Sequence, residues 1–331
     1  MTSRLSRRAA VLAALAAAAA ACARGDRASA DGARGGGGGD GDAIVVYNAG
    51  SLARPLRAVL DSFARAERVR VEQENAGSLE TARKLTELGK VPDAIALADE
   101  EVFPRYLMPA HVGWYARFAR NRMVLAYTDR SKFAAEVTPQ NWWEVVQRPG
   151  VEMGRSDPNL DPNGYRTLLV FQLAESFYAR PGLAERLLAH APPRNMRPKE
   201  ADLVGLLQAG EMDYVWSYES IARGAGLRFV QLPEAVDLSA PVYTPRYERA
   251  TVRVAGKTPA ETLTFRGAPI VYAFSIPRQA PHPALAARFA AFLVSETGRR
   301  ILRAAQLDAL DRPEVVGTGA PAGVGVEAPA K

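Results

Sequence analysis

AIVVYNAGSLARPLRAVLDSFARA, residues 43–66, contains a strand, a turn and a helix in direct succession. The β-branched run before Asn48 has strand character, and the apolar residues of LARPLRAVLDSFARA recur at helical spacing. The pentapeptide between them, NAGSL at 48–52, occurs again at 75–79. The second copy also lies between a strand-like segment, RVRVEQEN, and a helix-like one, LETARKLTELG. The chain therefore predicts the same strand–turn–helix unit twice in succession.

The segments that follow continue this alternation. DAIALAD at 93–99 predicts a third strand, and the order strand–helix–strand implies parallel pairing with right-handed crossovers. A second set of strands begins with NRMVLAYT at 121–128 and includes VEMGRSD, DYVWS and LRFVQL. We therefore predict an α/β protein with two doubly wound lobes, joined by a two-segment hinge and separated by a ligand cleft.

The predicted domain boundaries follow from these patterns. Residues 43–125 and 270–311 are expected to form lobe I, and residues 126–269 lobe II. The Gly-, Pro- and Ala-rich residues 312–331 are expected to form a peripheral tail. With 331 residues, 48% of them hydrophobic, the chain is long enough to bury a sizeable core.

The composition and motifs exclude several classes of function. The net charge is +6, but no block of Lys and Arg interleaved with aromatic residues indicates nucleic-acid binding. The three histidines, His111, His190 and His282, are scattered, which argues against a site for a cationic metal. The chain contains no G-x-S-x-G, G-x-x-x-x-G-K-[ST] or H-E-x-x-H motif. We expect a binding protein without a cofactor, not an enzyme.

The N-terminal region has the composition of an export signal. Three arginines precede an apolar run at 9–21, whose 13 residues are too few to span a bilayer of about 30 Å. The run ends at Cys22, the single cysteine of the chain, in a context that resembles a bacterial lipobox. We expect residues 1–21 to be a lipoprotein signal peptide, Cys22 to carry lipid, and residues 22–42 to be a flexible Gly-rich linker. The protein would then be exported to the periplasm or cell surface and anchored to a membrane.

The two NAGSL turns predict an anion site. Gly50 and Gly77 allow a tight turn, and Ser51 and Ser78 stand where each helix begins. The first backbone N–H groups of a helix have no partner within it and lie at the positive end of its dipole. One such turn is commonly a helix cap only. Two identical turns at the same ends of adjacent strands favour shared binding of one anion.

Two further strand-to-helix junctions lie in the second set of strands, which begins at residues 121–128. SDPNLDPNGYR at 156–166 contains two Asx-Pro turns before a helix, and Asp161 there either caps that helix or binds a ligand. WSYES at 216–220 places Ser217, Tyr218 and Glu219 at another junction. Two junctions on each lobe are typical of a site that closes around its ligand.

These motifs together resemble the molybdate- and tungstate-binding components of ABC transporters, in the branch of the archaeal-type tungstate binders. The resemblance is carried by both NAGSL turns, PDAIALAD, NRMVLAYT, DPNGYR and the Tyr-Glu-Ser helix start, and covers about 43–311. It implies a type II periplasmic-binding-protein fold that captures a tetrahedral oxyanion and delivers it to a membrane permease. It also implies a monomer.

The resemblance implies roles for single residues. Ser51 and Ser78 would donate hydroxyl and backbone N–H groups to the anion, and Asp161 matches an aspartate that reaches the metal in the relatives. Their second carboxylate is a glutamate that we place opposite Ser217, whereas this chain has Glu219 two positions later. The coordination of the bound metal therefore stays open. Asp161 is a ligand of molybdenum or tungsten, or it is neutralised by Arg166 or a neighbouring helix N-terminus.

Other ligands fit the same residues. Hydrogen phosphate needs an acceptor such as Asp161, and sulfate needs donors only. An envelope hydrolase that uses Asp157 and Asp161 as an acid–base pair is the alternative of a different class, but a proline follows each aspartate and favours a turn.

Overall fold

We describe the protein from a computed structural model, which covers residues 43–256 and 260–327. The strands are β1 Ala43–Ala49, β2 Arg70–Ala76, β3 Ala94–Leu97, β4 Trp114–Arg120, β5 Met123–Tyr127, β6 Met153–Ser156, β7 Met196–Arg197, β8 Tyr214–Tyr218, β9 Arg228–Gln231, β10 Thr251–Ala255, β11 Thr262–Arg266, β12 Val271–Ser275, β13 Asp308–Gly317 and β14 Val326–Glu327. The helices are α1 Ala53–Glu67, α2 Ser78–Thr86, α3 Trp142–Val145, α4 Pro162–Phe177, α5 Leu183–Ala189, α6 Glu200–Ala209, α7 Glu219–Gly224, α8 Thr244–Tyr247, α9 Pro283–Val294 and α10 Glu296–Ala304. Short 3-10 turns lie at Gly50–Leu52, Pro193–Asn195 and Pro241–Tyr243, and a π-helical turn at Phe103–Leu107.

Lobe I is built on a seven-stranded sheet with the order β14-β13-β4-β12-β3-β1-β2. β1 pairs in parallel with both β2 and β3, as the strand–helix–strand order predicts. Helix α1 buries the predicted apolar face, including Leu56, Leu60 and Phe63. In the register of β1 and β2, Asn48 faces Asn75 and Ala49 faces Ala76. The two NAGSL turns therefore leave one edge of the sheet side by side, as predicted.

Lobe II is built on a five-stranded sheet with the order β7-β6-β8-β5-β9. The chain passes from lobe I to lobe II between β4 and β5, and returns between β11 and β12. The predicted end of lobe I at residue 125 is wrong, because β5 begins at Met123 and pairs with β8 and β9 of lobe II. β4, which the sequence does not predict, ends at Arg120 and marks the crossing. The bilobed α/β architecture itself is confirmed.

The prediction of a peripheral tail from residue 312 is wrong for its first residues. β13 runs to Gly317 and pairs with β4, and β14 pairs with β13. Pro313 and Val315 are buried, and a register shift between Ala309 and Glu314 accommodates the proline, which cannot donate to the sheet. The Gly- and Pro-rich composition of this segment does not predict a strand.

No helix in the described part of the chain is long and apolar enough to cross a membrane. The predicted signal peptide, the lipid-carrying Cys22 and the linker up to residue 42 lie outside the described residues.

Candidate functional site

The site begins where β1 and β2 end. β1 continues into the 3-10 turn Gly50–Leu52 and then α1, whereas β2 continues through Gly77 directly into α2. The side-chain amide of Asn48 donates to Asn75 Oδ1 over 2.7 Å. This hydrogen bond fixes the two turns relative to one another.

The two serines of these turns are buried and do not act as helix caps. Ser78 Oγ accepts a hydrogen bond from the N–H of Ala98 at 3.0 Å, so its own proton remains for another partner. Ser51 is 3% exposed, and its Oγ lacks a partner of hydrogen-bond geometry among the described residues. An orphaned buried hydroxyl is unfavourable. Both hydroxyls are therefore placed to donate to a ligand.

Lobe II closes onto the second turn. The carbonyl oxygen of Leu160 accepts from the N–H groups of Leu79 and Glu80 at 3.1 and 3.3 Å. A Cβ placed on Gly77 would overlap this oxygen and would lie 3.3 Å from the Cα of Asp161. Glycine is therefore required here by the approach of lobe II. Two first-turn donors of α2 are occupied by protein, so the anion would meet the Ser78 side of this turn.

Two buried carboxyl groups of lobe II lie next to these turns. Asp161 caps α4, with Oδ1 accepting from the N–H of Asn163 at 3.2 Å, and its Oδ2 accepts from the N–H of Glu200 at 2.8 Å. Asp161 thus accepts backbone hydrogen bonds at the N-termini of both α4 and α6.

Glu200, at the first position of α6, is the second carboxyl group. It is 1% exposed, and a Cβ on Gly50 would lie 3.6 Å from its Oε1, an atom without a hydrogen-bond partner in the described structure. Burial, and then the neighbouring charge of Asp161, raise the pKa of Glu200 well above its usual range. Glu200 is not predicted from the sequence, because a glutamate in the first turn of a helix is ordinarily explained by the helix dipole.

Two tyrosines complete the described surroundings. Tyr218 and Tyr272 are fully buried, with their ring centroids 6.0 Å apart. Burial raises the pKa of the Tyr218 hydroxyl, against the opposing effect of the Arg166 charge. Burial likewise raises the pKa of Tyr272. Both phenols are therefore neutral and able to donate.

Ser51 and Ser78 of lobe I and Asp161 and Glu200 of lobe II are thus buried polar residues where the two lobes meet. The described residues contain no group of three or more His, Cys, Asp or Glu side chains that could hold a metal cation. A small oxyanion fits the donor set better than a cation.

Comparison with known proteins assigns the chain to a family. Residues 44–305 match the family model described as bacterial extracellular solute-binding protein. The chain belongs to this family. An uncharacterized solute-binding protein of Petrotoga mobilis is 41% identical over 82% of this chain and 85% of its own. The molybdate/tungstate-binding protein WtpA of Pyrococcus abyssi is 34% identical over 83% of this chain and 86% of its own.

A solved structure shows the same fold. The sulfate-binding protein SubI of Mycobacterium tuberculosis superposes with a TM-score of 0.56 at 16% identity, over 81% of this chain and 87% of its own. The predicted type II periplasmic-binding-protein fold is confirmed. Because the family and these relatives are solute-binding proteins, the prediction that the chain is not an enzyme is also confirmed.

The structure of this solute-binding protein gives the remaining predicted site residues other contacts. Ser217 Oγ donates to the carbonyl oxygen of Tyr218 at 3.4 Å, and Glu219 forms ion pairs with Arg122 at 3.0 Å and Arg223 at 2.6 Å. Glu219 and both arginines line a cavity of about 450 Å³ beside the crossing between the lobes. The carboxyl group that lies beside Asp161 is Glu200.

Proposed function

We propose that this solute-binding protein captures tungstate or molybdate between its lobes and delivers the oxyanion to the permease of an ABC transporter. The observation that carries the proposal is the pair of buried carboxyl groups, Asp161 and Glu200, next to the Ser51 and Ser78 turns. The name of the WtpA relative, which covers most of this chain, supports the same ligand.

The chemistry of the pair favours a metal oxyanion. A carboxylate repels a dianion unless it bonds to the central atom, and molybdenum and tungsten accept additional oxygen ligands whereas sulfur in sulfate does not. Asp161, and Glu200 once it has released its proton to solvent, can therefore raise the coordination of the bound metal above four. Ser51 and Ser78 supply donors for the oxo groups from the opposite lobe, so closing the cleft completes the site.

The experiment is a calorimetric titration of ligand-free protein, residues 43–331, with tungstate, molybdate, sulfate and hydrogen phosphate in parallel. Submicromolar binding of tungstate or molybdate, with the other two far weaker, supports the proposal. Preference for sulfate would mean that the carboxyl groups do not contact the central atom. Preference for hydrogen phosphate would mean that they accept its proton, and binding of none of the four would refute an oxyanion carrier.

Export and anchoring are part of the proposal. The signal-like residues 1–21 and Cys22 indicate a mature chain that carries lipid and meets its permease at a membrane as a monomer. Mass spectrometry of the mature N-terminus and membrane fractionation of a Cys22→Ala variant test this. A soluble wild-type protein with an unmodified cysteine would contradict the anchor without affecting the ligand assignment.

A further inference from the structure

Arg166 is a buried cation that connects the two lobes. It projects from α4 of lobe II and is 3% exposed. One guanidinium nitrogen donates to the carbonyl oxygen of Ala98 in lobe I at 2.7 Å, and another lies 3.2 Å from Asp99 Oδ2. The hydroxyl of Tyr165 also contacts Asp99.

Burying such an ion pair is costly, so it persists only with good geometry and additional hydrogen bonds. Burial opposes the charge of Arg166, but Tyr218 and Asp99 outweigh that effect and raise its pKa above the ordinary range. Arg166, Tyr165 and Asp99 line a cavity of about 460 Å³ between the lobes. Separation of the lobes would return both charges to water, so the pair exists in full only when the cleft is closed.

The same guanidinium sets the direction of a hydroxyl group at the site. Arg166 Nη1 donates to the hydroxyl oxygen of Tyr218 at 2.8 Å, and arginine has no acceptor to offer in return. The proton of Tyr218 must therefore point to another partner.

A second hydroxyl is oriented through the backbone of one residue, Ala98. Ala98 accepts from Arg166 through its carbonyl oxygen and donates through its N–H to Ser78 Oγ at 3.0 Å. Ser78 is thereby also held with an oxygen lone pair occupied and its proton available. Arg166 thus acts on one donor of each lobe.

We propose that Arg166 is a positioning residue that, on lobe closure, fixes the Tyr218 hydroxyl, and through Ala98 the Ser78 hydroxyl, as donors to the bound anion. The inference rests on the proposed oxyanion function. Arg166 itself remains behind the ligand and acts through these two groups.

The test is a double-mutant cycle on tungstate binding, with Arg166→Lys, Tyr218→Phe and the double variant. Loss of one well-placed hydrogen bond to a charged ligand corresponds to about tenfold or more in Kd. We expect each single change to raise Kd at least about tenfold, mainly through faster dissociation. In the Tyr218→Phe background the Arg166→Lys change should cost much less, since its main target is gone.

Arg155→Lys is the matched control. Arg155 is a buried arginine of the same lobe, but it donates to the carbonyl oxygens of Ala191 and Ser156, both in lobe II. Its replacement should lower thermal stability and leave tungstate dissociation unchanged. A merely structural role of Arg166 would give the same result as this control.

The outcomes separate this inference from the function it rests on. Suppose that the wild type binds tungstate. The role of Arg166 alone is then overturned if Arg166→Lys leaves Kd unchanged. It is also overturned if Arg166→Lys raises Kd by the same factor in the Tyr218→Phe background as in the wild type. If Arg166→Lys does not fold, Tyr218→Phe still decides, because unaltered binding by that variant also overturns the role. A wild type that binds none of the four anions overturns both proposals.

Discussion

The backbone N–H of Glu200 donates to Asp161 Oδ2 over 2.8 Å, so two carboxyl groups that are 39 residues apart in sequence occupy one buried site. The contact joins the N-terminus of α6 to the N-cap of α4. Two neighbouring buried carboxyl groups resist double ionisation, and burial together with the charge of Asp161 raises the pKa of Glu200 well above its usual range. In the ligand-free site Glu200 therefore keeps its proton to a higher pH than an exposed glutamate does.

The raised pKa of Glu200 predicts a pH dependence of stability. Folded Glu200 holds its proton at a pH where the unfolded residue, with a pKa of about 4.3, has lost it. The folded state then binds more protons than the unfolded state. The contribution of Glu200 to the free energy of unfolding is therefore fully present below the unfolded pKa and falls as pH rises through the raised, folded value.

Urea unfolding of ligand-free protein at several pH values between 5 and 8, values chosen to lie above the roughly 4.3 of unfolded glutamate, measures this fall. We expect Glu200→Gln to remove part of the decline, so that its stability relative to wild type increases with pH. Glu185→Gln, on the exposed surface of α5, is the control and should follow wild type. Parallel curves for wild type and Glu200→Gln would contradict the buried, protonated carboxyl group.

A second prediction compares two glutamates near the cleft. Glu200→Gln should weaken tungstate binding about tenfold or more, since a charged ligand contact corresponds to roughly 1.5–3 kcal/mol. Glu219→Gln should change Kd by no more than about twofold, because its partly exposed ion pairs with Arg122 and Arg223 contribute little. Calorimetry on both variants decides between the carboxyl group seen beside Asp161 and the one expected from the sequence. The reverse order of effects would restore Glu219 to the site.

The repeated NAGSL turn shows which features of the fold can be predicted from the sequence. Its two copies and their apolar surroundings were sufficient to predict parallel strands with adjacent turns, because strand register and helix faces are local patterns. Asp161 was identified because its turn has a local signature. Glu200 was not, since only the tertiary approach of α6 to α4 removes it from water. β13 is not predicted, because Pro313 and the glycines near it are uncommon in strands and the pairing with β4 is long-range.

A third prediction concerns the two serines, which differ in what their hydroxyl groups do without ligand. Ser51→Ala and Ser78→Ala should each weaken tungstate binding by about 1–3 kcal/mol. Ser78→Ala should also destabilise the ligand-free protein by about 1–3 kcal/mol, because the buried N–H of Ala98 loses its acceptor. Ser51→Ala should not destabilise the ligand-free protein, since it removes a buried hydroxyl that has no hydrogen-bond partner in the described structure.

Calorimetry and thermal unfolding of the same samples separate the two effects. Ser217→Ala is the control, because its hydroxyl contacts only the neighbouring carbonyl group at the limit of hydrogen-bond distance, 3.4 Å, among the described contacts. It should bind tungstate as wild type does. Equal binding by wild type, Ser51→Ala and Ser78→Ala would mean that the NAGSL turns serve the fold alone.

The last prediction concerns the closure of the lobes at Gly77. Its φ of −62° and ψ of 147° are accessible to alanine, so lobe I itself tolerates Gly77→Ala. The added methyl group meets lobe II, where the Leu160 carbonyl oxygen approaches to cap α2. We therefore expect normal folding but a cleft that cannot close fully. Tungstate affinity should fall at least about tenfold, because donors and carboxyl groups no longer reach the anion together.

Small-angle scattering with and without tungstate measures the closure directly. The radius of gyration of wild type should decrease on binding, and that of Gly77→Ala should not. Gly205→Ala, in α6 with open space around the added carbon, is the matched control: it should stabilise the helix by about 1 kcal/mol and bind tungstate normally. Wild-type affinity and compaction in Gly77→Ala would show that tungstate binds without the Leu160 contact, and the closed arrangement of the two lobes would then not be the one that holds the ligand.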